Sequence, residues 1–241
     1  TPDGAPVKCG VPISDLAAGL YAANGIMAAL IARARTGRGQ HIETSLFESA
    51  LALSVWEATE YWATGEAPRP LGSAHRLSAP YEAYRASDGY LTIAALTSFQ
   101  WERLCAVLDH PELTSDPRFA TNAARLANRP ALTVEIESAL AGHAVAEWVT
   151  RLLAAGVPTG PIHDYAQVFA DPHTTARRMV ETIDHPVEGP VRTLGFPLKM
   201  SDTPPRVRRA PPLLGEHTAA LLHALAAGAS VWAEPDERPP A

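Results

Sequence analysis

Asp15 is the acid whose setting in the chain could support chemistry. It follows Gly10-Val-Pro-Ile-Ser, where Pro12 and the capping-type Ser14 mark a helix start. It precedes the small-residue run Leu16-Ala-Ala-Gly-Leu-Tyr-Ala-Ala-Asn-Gly-Ile-Met-Ala-Ala-Leu. A carboxylate in a first helical turn lies against backbone N–H groups that lack intrahelical partners and against the positive end of the helix dipole, which keep it ionised and fixed in direction. An acid held in that way is a usable nucleophile. Acids are also favoured at helix starts for stability alone, so from this stretch capping and catalysis both stand.

A second candidate is the stretch Leu71-Gly-Ser-Ala-His-Arg-Leu-Ser-Ala-Pro-Tyr. Gly72 supplies freedom, Ser73 a hydroxyl, and His75 and Arg76 cationic donors, which suits a loop closing over an anionic or carbonyl ligand. Its composition fits a solvated linker equally well. Cys9 precedes Asp15 by six residues, but nothing nearby in sequence would lower its pKa, and it reads as a small buried residue. The nine histidines form no His-Glu-x-x-His and no Cys/His cluster, so no metal site is expected. The nucleophile elbow Gly-x-Ser-x-Gly, the phosphate loop Gly-x-x-x-x-Gly-Lys and the dinucleotide turn Gly-x-Gly-x-x-Gly are all absent, which weakens hydrolase, NTPase and dinucleotide readings.

Asp15 must be positioned by the helix that follows it. Leu16, Leu20, Ala23, Met27 and Leu30 recur at three and four residues and predict a core stripe. The opposite face carries Ala17, Ala18, Gly19, Ala22, Gly25 and Ala29, which would let another backbone or a ligand approach closely. Gly37 is the expected stop. The alternation in 40–46 predicts a strand, and 47–64, apolar around its circumference, predicts a buried helix. Helix, strand and helix together suggest a piece of an α/β layer. The segment 65–80 holds three prolines and two glycines among charged residues and marks a linker or ordered loop.

Beyond it, Tyr81-Glu-Ala-Tyr-Arg-Ala and Tyr90-Leu-Thr-Ile-Ala-Ala flank Ser87-Asp-Gly and predict a hairpin whose turn uses the positive φ angles that Asp-Gly tolerates. Thr97 and Gln100 have capping-box spacing before Trp101, Leu104 and Leu108. Leu132, Ile136 and Leu140 predict a second helix; Val145, Trp148, Val149 and Leu152 predict a third, stopping at Gly156. Val157-Pro-Thr-Gly-Pro reads as a rigid crossing, Asp164 as the cap of a short helix to Phe169, and 179–184 with 191–194 as strands. The segment 197–212 is linker-like, 216–227 a closing helix on Leu221, Leu222 and Leu225, and Glu234-Pro-Asp-Glu-Arg-Pro-Pro too polar to fold.

The chain has 241 residues, 46% of them hydrophobic, enough to bury a core. A net charge of −6 without a block of Lys or Arg argues against nucleic acid or an anionic membrane as partner. The two cysteines, Cys9 and Cys105, have no metal or redox spacing, which points to a reducing, cytoplasmic setting. No apolar run is read as a membrane span, and no signal segment is apparent. The opening Thr1-Pro-Asp-Gly-Ala-Pro reads as a loop in mid-protein, so a processed or truncated chain is expected.

Five motifs together resemble the C-terminal part of the family III CoA-transferases, a group that also includes α-methylacyl-CoA racemases. They are the Asp15 turn with its Ala-Ala-x-Gly-Ile-x-Ala-Ala-Leu helix; Thr36-Gly-Arg-Gly-Gln; Ala79-Pro-Tyr with Arg85-x-x-Asp88-Gly89; Gly156-Val-Pro-x-Gly-Pro; and Leu214-Gly-Glu-His-Thr. The resemblance implies an α/β fold. Residues 1–65 would be part of a nucleotide-fold-like large domain with the Asp15 turn, and 66–80 a linker or lid. Residues 81–194 would be a small α+β domain, and 195–241 a return linker, closing helix and disordered tail. It further implies a homodimer interlocked like links, or a partner supplying the N-terminal segment that carries most CoA contacts. Asp15 would attack an acyl-CoA thioester, giving an acyl-aspartyl anhydride and then an aspartyl-CoA thioester. Gly72, Ser73, His75 and Arg76 would bind substrate, and the Gly-Ser-Ala-His-Arg stretch looks like members that handle short dicarboxylates such as succinate. Coenzyme A enters as a thioester substrate, with no permanently bound cofactor. A racemase, with Asp15 as acid/base beside a histidine from the N-terminal segment, and a non-catalytic fragment or assembly subunit are the alternatives.

Overall fold

The computed structural model describes residues 4–228, so the Pro-rich stretch 234–240 and the first residues of the opening loop lie outside the described residues. Helix α1, Ile13–Thr36, begins directly after Pro12, which occupies the cap position with no side-chain cap bond. Ser14, expected as the cap, is instead inside the first turn with Asp15. The helix ends at Gly37, whose left-handed backbone N–H donates to the carbonyl of Arg33.

The small-residue face of α1 is the one that packs. Ala17 is buried and Ala18, Ala22, Gly25 and Ala29 are half-buried, facing helix α2, Leu46–Leu53. A Cβ on Gly25 would lie 3.1 Å from Ile42 Cγ2, so glycine is what permits the approach. The stripe expected to be core is uncovered: Leu16, Leu20, Met27 and Leu30 are all about half exposed or more. Among the described residues no sheet lies against it, which is the physical reason. At 24 residues α1 is also long and apolar enough to cross a membrane by length and composition alone, contrary to the expectation that no segment reaches that size.

Residues 40–45 carry no regular secondary structure and pair with no strand among the described residues, so the predicted strand does not form. The helix predicted over 47–64 is two helices, α2 and α3, Val55–Thr64, parted at Ser54, whose hydroxyl donates to the carbonyl of Leu51 at 2.7 Å. It is not buried: Phe47, Leu51, Trp56 and Trp62 are exposed. Ser45 caps α2, accepting from the Glu48 N–H and donating to the Glu48 carboxylate.

The core is built by the next hundred residues. Strands β1, Tyr81–Arg85, and β2, Tyr90–Ala94, form the predicted hairpin, with Tyr81 opposite Ala94 and Arg85 opposite Tyr90. The turn is not the one expected. Four residues connect the strands, Ala86 N–H donates to the Gly89 carbonyl, and neither Asp88 nor Gly89 has positive φ. The Asp88 carboxylate instead accepts from the Val145 N–H at 2.8 Å and so caps a helix distant in sequence.

Helix α4, Ser98–Val107, starts in the predicted capping box of Thr97 and Gln100. A 3₁₀ turn at Pro111–Thr114 and helices α5, Asn122–Ala127, α6, Arg129–Leu140, and α7, Val145–Ala154, complete the layer against the sheet. Trp101, Leu104, Leu132, Ile136, Leu140, Trp148 and Leu152 meet Tyr84, Leu91 and Ile93 in one buried cluster. The supposed crossing after Gly156 contributes a third strand, β3, Thr159–Pro161, antiparallel to β2.

The described chain divides into two compact units between Ile162 and His163. In the second unit, Asp164 caps α8, Tyr165–Ala170, as predicted, and α9, Pro172–Ala176, follows. Strands β4, Val180–His185, and β5, Gly189–Leu194, make an antiparallel hairpin. After an irregular stretch, α10, Thr218–Ala226, exposes Leu221, Leu222 and Leu225 rather than burying them.

Candidate active site

Asp15 is the third residue of α1, in the turn whose backbone N–H groups have no intrahelical acceptor. Its side chain is exposed and makes no hydrogen bond or ion pair among the described residues. The small residues Ala17, Ala18, Gly19 and Ala22 bring little bulk near it. A carboxylate exposed at a helix start has the chemistry to act as an oxygen nucleophile or as a proton acceptor. Cys9, expected to be buried, is exposed.

The 71–80 stretch is an ordered loop. Gly72 has a φ of +65°, a conformation that side chains disfavour, and the Ala74 N–H donates back to Leu71. Ser73 Oγ accepts from the Ala83 N–H at 3.1 Å, and the His75 N–H donates to the Tyr81 carbonyl at 2.8 Å, so the loop lies along β1. The His75 ring stacks on Tyr81 with centroids 4.9 Å apart and meets Trp56 edge-on at 5.8 Å. Arg76 reaches α3, where it pairs with Glu57 at 2.5 Å and with Glu60. Its charge is thus matched by carboxylates of the chain. Trp56, Glu57, Arg69, Gly72, His75 and Arg76 line a pocket of about 410 Å³.

Of the four predicted loop residues, Gly72, His75 and Arg76 line this pocket, whereas Ser73 does not and is engaged by the Ala83 N–H. No hydrogen bond or ion pair joins any of them to Asp15 among the described residues. No group of three or more His, Cys, Asp or Glu side chains that could hold a metal occurs among the described residues.

Three residues that sequence reading missed hold the loop from behind. Asn122 accepts from the Ala79 N–H at 3.1 Å and donates to the Leu77 carbonyl at 2.9 Å. Arg125, only 3% exposed, donates to the carbonyls of Ala79 at 2.5 Å and Phe119 at 2.9 Å, with its guanidinium over the Trp101 ring. Burial holds the Arg125 pKa below its ordinary value. Arg129 donates to the His75 carbonyl at 2.6 Å and lies 3.6 Å from Glu82. Glu82 in turn accepts from the hydroxyls of Tyr84 and Thr133. Burial, and then the negative charge of Glu82, pushes the Tyr84 hydroxyl pKa far up, so it stays a donor. No local signal marks these residues: Asn122 and Arg125 lie on α5 and Arg129 opens α6, and the fold brings them to the loop.

With this geometry in hand, comparison with known proteins is decisive. The sequence model of CoA-transferase family III matches residues 1–218. The chain belongs to CoA-transferase family III. Among curated relatives, it is 38% identical to the succinate–glutarate CoA-transferase of Agrobacterium fabrum, covering 92% of this chain and 55% of that one. It is also 38% identical to the acetyl-CoA:oxalate CoA-transferase of Acetobacter aceti, over 94% of this chain and 57% of the relative. The succinyl-CoA:mesaconate CoA-transferase of Haloarcula hispanica is 36% identical over 91% and 55% respectively. Among solved structures, a CaiB/BaiF family protein from Brucella suis superposes with a TM-score of 0.79 and 42% identity, covering 93% of this chain and 58% of that chain. The family III chain thus spans little more than half the length of the curated relatives it matches.

Proposed function

We propose that this chain is the Asp15-bearing part of an acyl-CoA:carboxylate CoA-transferase that works through an aspartyl nucleophile. The observation that carries the reading is the exposed, unpartnered carboxylate of Asp15 at the start of α1. In the first step a carboxylate oxygen of Asp15 attacks the thioester carbonyl, the C–S bond breaks, and an acyl-aspartyl anhydride and CoA thiolate result. The thiolate then attacks the aspartyl carbonyl, releasing the donor acid and leaving an aspartyl-CoA thioester. The acceptor carboxylate reverses the sequence: it displaces the thiolate to form a new anhydride, and the thiolate takes the acceptor's acyl group, freeing Asp15. No proton or electron is gained or lost overall.

Relatives named for mesaconate, glutarate and oxalate support short dicarboxylates as the acids exchanged. Gly72, Ser73, His75 and Arg76 would contact the acyl part, and residues 66–80 would serve as the linker or lid. We further infer that CoA binding draws on the length that the relatives have and this chain does not span, and that the working form is a cytoplasmic homodimer.

The test uses the full-length protein. Asp15→Asn keeps the volume and removes the anion, so transfer from succinyl-CoA to a dicarboxylate should fall on the order of 10³-fold or more. Asp15→Glu should fail nearly as badly, because an added methylene displaces the attacking oxygen by about an ångström. Undiminished transfer by Asp15→Asn would refute the assignment. Solvent deuterium entering the substrate α-carbon without a covalent adduct would instead make Asp15 the proton-transfer group of a racemase.

A further inference from the structure

We propose that Asn122, Arg125 and Arg129 form a clasp that positions the substrate loop, fixing residues 75–79 and leaving closure over the acyl group to residues 66–72. The proposal rests on the reading of Gly72–Arg76 as substrate contacts.

The clasp acts on backbone atoms. Leu77 and Ala79 are gripped by the two ends of one amide side chain, Asn122, which donates to one and accepts from the other. Arg125 takes the Ala79 carbonyl as well, and Arg129 takes the carbonyl of His75 at 2.6 Å and that of Ser78 at 3.5 Å. Arginine suits this task because a guanidinium presents several donors in a rigid plane and can hold two carbonyls in fixed relation. A buried guanidinium facing carbonyls, with no carboxylate bonded to it among the described residues, is a costly arrangement, retained here at Arg125 where the loop must be held. Arg129 is anchored in its turn by Glu82, which also receives Tyr84 and Thr133.

The two halves of the loop differ. Each carbonyl from His75 to Ala79 named above meets a side chain of α5 or α6, and Ser73 Oγ accepts from the Ala83 N–H of β1, whereas the bonds given for 66–72 are local: Glu66 N–H to Thr64, and Ala74 N–H to the Leu71 carbonyl. Gly72, at φ +65°, ends the closing half, just before the first anchored residue, Ser73. Glycine can change backbone region there without a side-chain penalty, so it is the hinge. Asn122, Arg125 and Arg129 touch loop backbone and no reacting atom; they are positioning residues.

Asn122 is exposed, so its replacement leaves the core untouched and is the variant of choice. In the full-length enzyme, Asn122→Ala should raise amide exchange at Ala79 by about tenfold or more while core amides such as Leu132 keep their protection. It should lower kcat by about tenfold to a hundredfold with the KM for succinyl-CoA unchanged within about twofold, since a loop displaced by about an ångström spoils attack geometry more than CoA binding. Asn122→Asp keeps the acceptor for the Ala79 N–H and should restore that protection and part of kcat. Wild-type kcat despite fast exchange at Ala79, unchanged exchange at Ala79, or a kcat loss that merely tracks lost folded protein would each overturn the clasp. Ligand-induced protection in 75–79 but not in 66–72 would overturn the division of the loop. The wild-type enzyme, assayed alongside for acyl or CoA mass on Asp15, separates a failed clasp from a failed aspartyl mechanism.

Discussion

Cys105 lies in the core with no exposed surface, and burial pushes its thiol pKa up from 9.0 to about 12, partly opposed by the charge of Arg125. Thiolates are the reactive form, so at pH 8 iodoacetamide should label Cys9, which is exposed, and leave Cys105 intact in the native protein. Labelling of both at equal rates would contradict the packing around α4. The sign of the pH effect follows from the same shift. The folded state holds the proton more tightly than the unfolded one, so this contribution to stability is complete below about pH 9 and is lost as the pH rises through about 12. Cys105→Ala, which cannot ionise, should therefore show a shallower alkaline loss of stability in urea titrations. Asp15 differs from Cys105 in every respect that matters for reactivity: it is exposed, unpaired and at a helix start.

Among the elements, α7 shows how a motif residue can serve architecture. Its own cap residue, Ala144, offers no side-chain acceptor, and the first N–H is taken by Asp88 from the β1–β2 turn. Asp88→Ala should cost about 1 kcal/mol, within the roughly 0.5–2 kcal/mol range of lost caps, read as a lower urea midpoint at unchanged slope. An unchanged midpoint would remove Asp88 from this role. The helices α4, α6 and α7 were legible because their signals are local: a capping box at Thr97, leucine and isoleucine every fourth residue from Leu132, and tryptophan with leucine at Trp148 and Leu152. Strands without a partner across a short local turn are different. Residues 40–45 have the alternation but no neighbour to pair with among the described residues, and β3 exists only because Leu91–Ile93 lies beside Thr159–Pro161. The clasp was invisible for the same reason, since Leu77 and Asn122 are brought together by the fold and not by spacing. Asp15 and the 72–76 loop were legible because composition and a helix start mark them locally, while the partners of Arg76 on α3 were not.

For the molecule as a whole, the uncovered apolar surface is the dominant physical fact. In the first unit Leu16, Leu20, Met27 and Leu30 of α1 and Phe47, Trp56 and Trp62 of α2 and α3 face solvent; in the second, Leu222 and Leu225 of α10 do. Burying a leucine is worth about 1.5–3 kcal/mol, so surfaces of this size favour association with another chain or segment. Sedimentation of the 241-residue chain at low micromolar concentration should show dimers or larger species. A monodisperse monomer would count against the homodimer. The most direct test of the functional proposal is mass spectrometry of the full-length enzyme quenched during turnover with succinyl-CoA and a dicarboxylate acceptor. We expect acyl or CoA mass on the peptide that contains Asp15, lost when hydroxylamine is added and absent from Asp15→Asn. Steady transfer with an Asp15 peptide that stays unmodified at every quench time would contradict it.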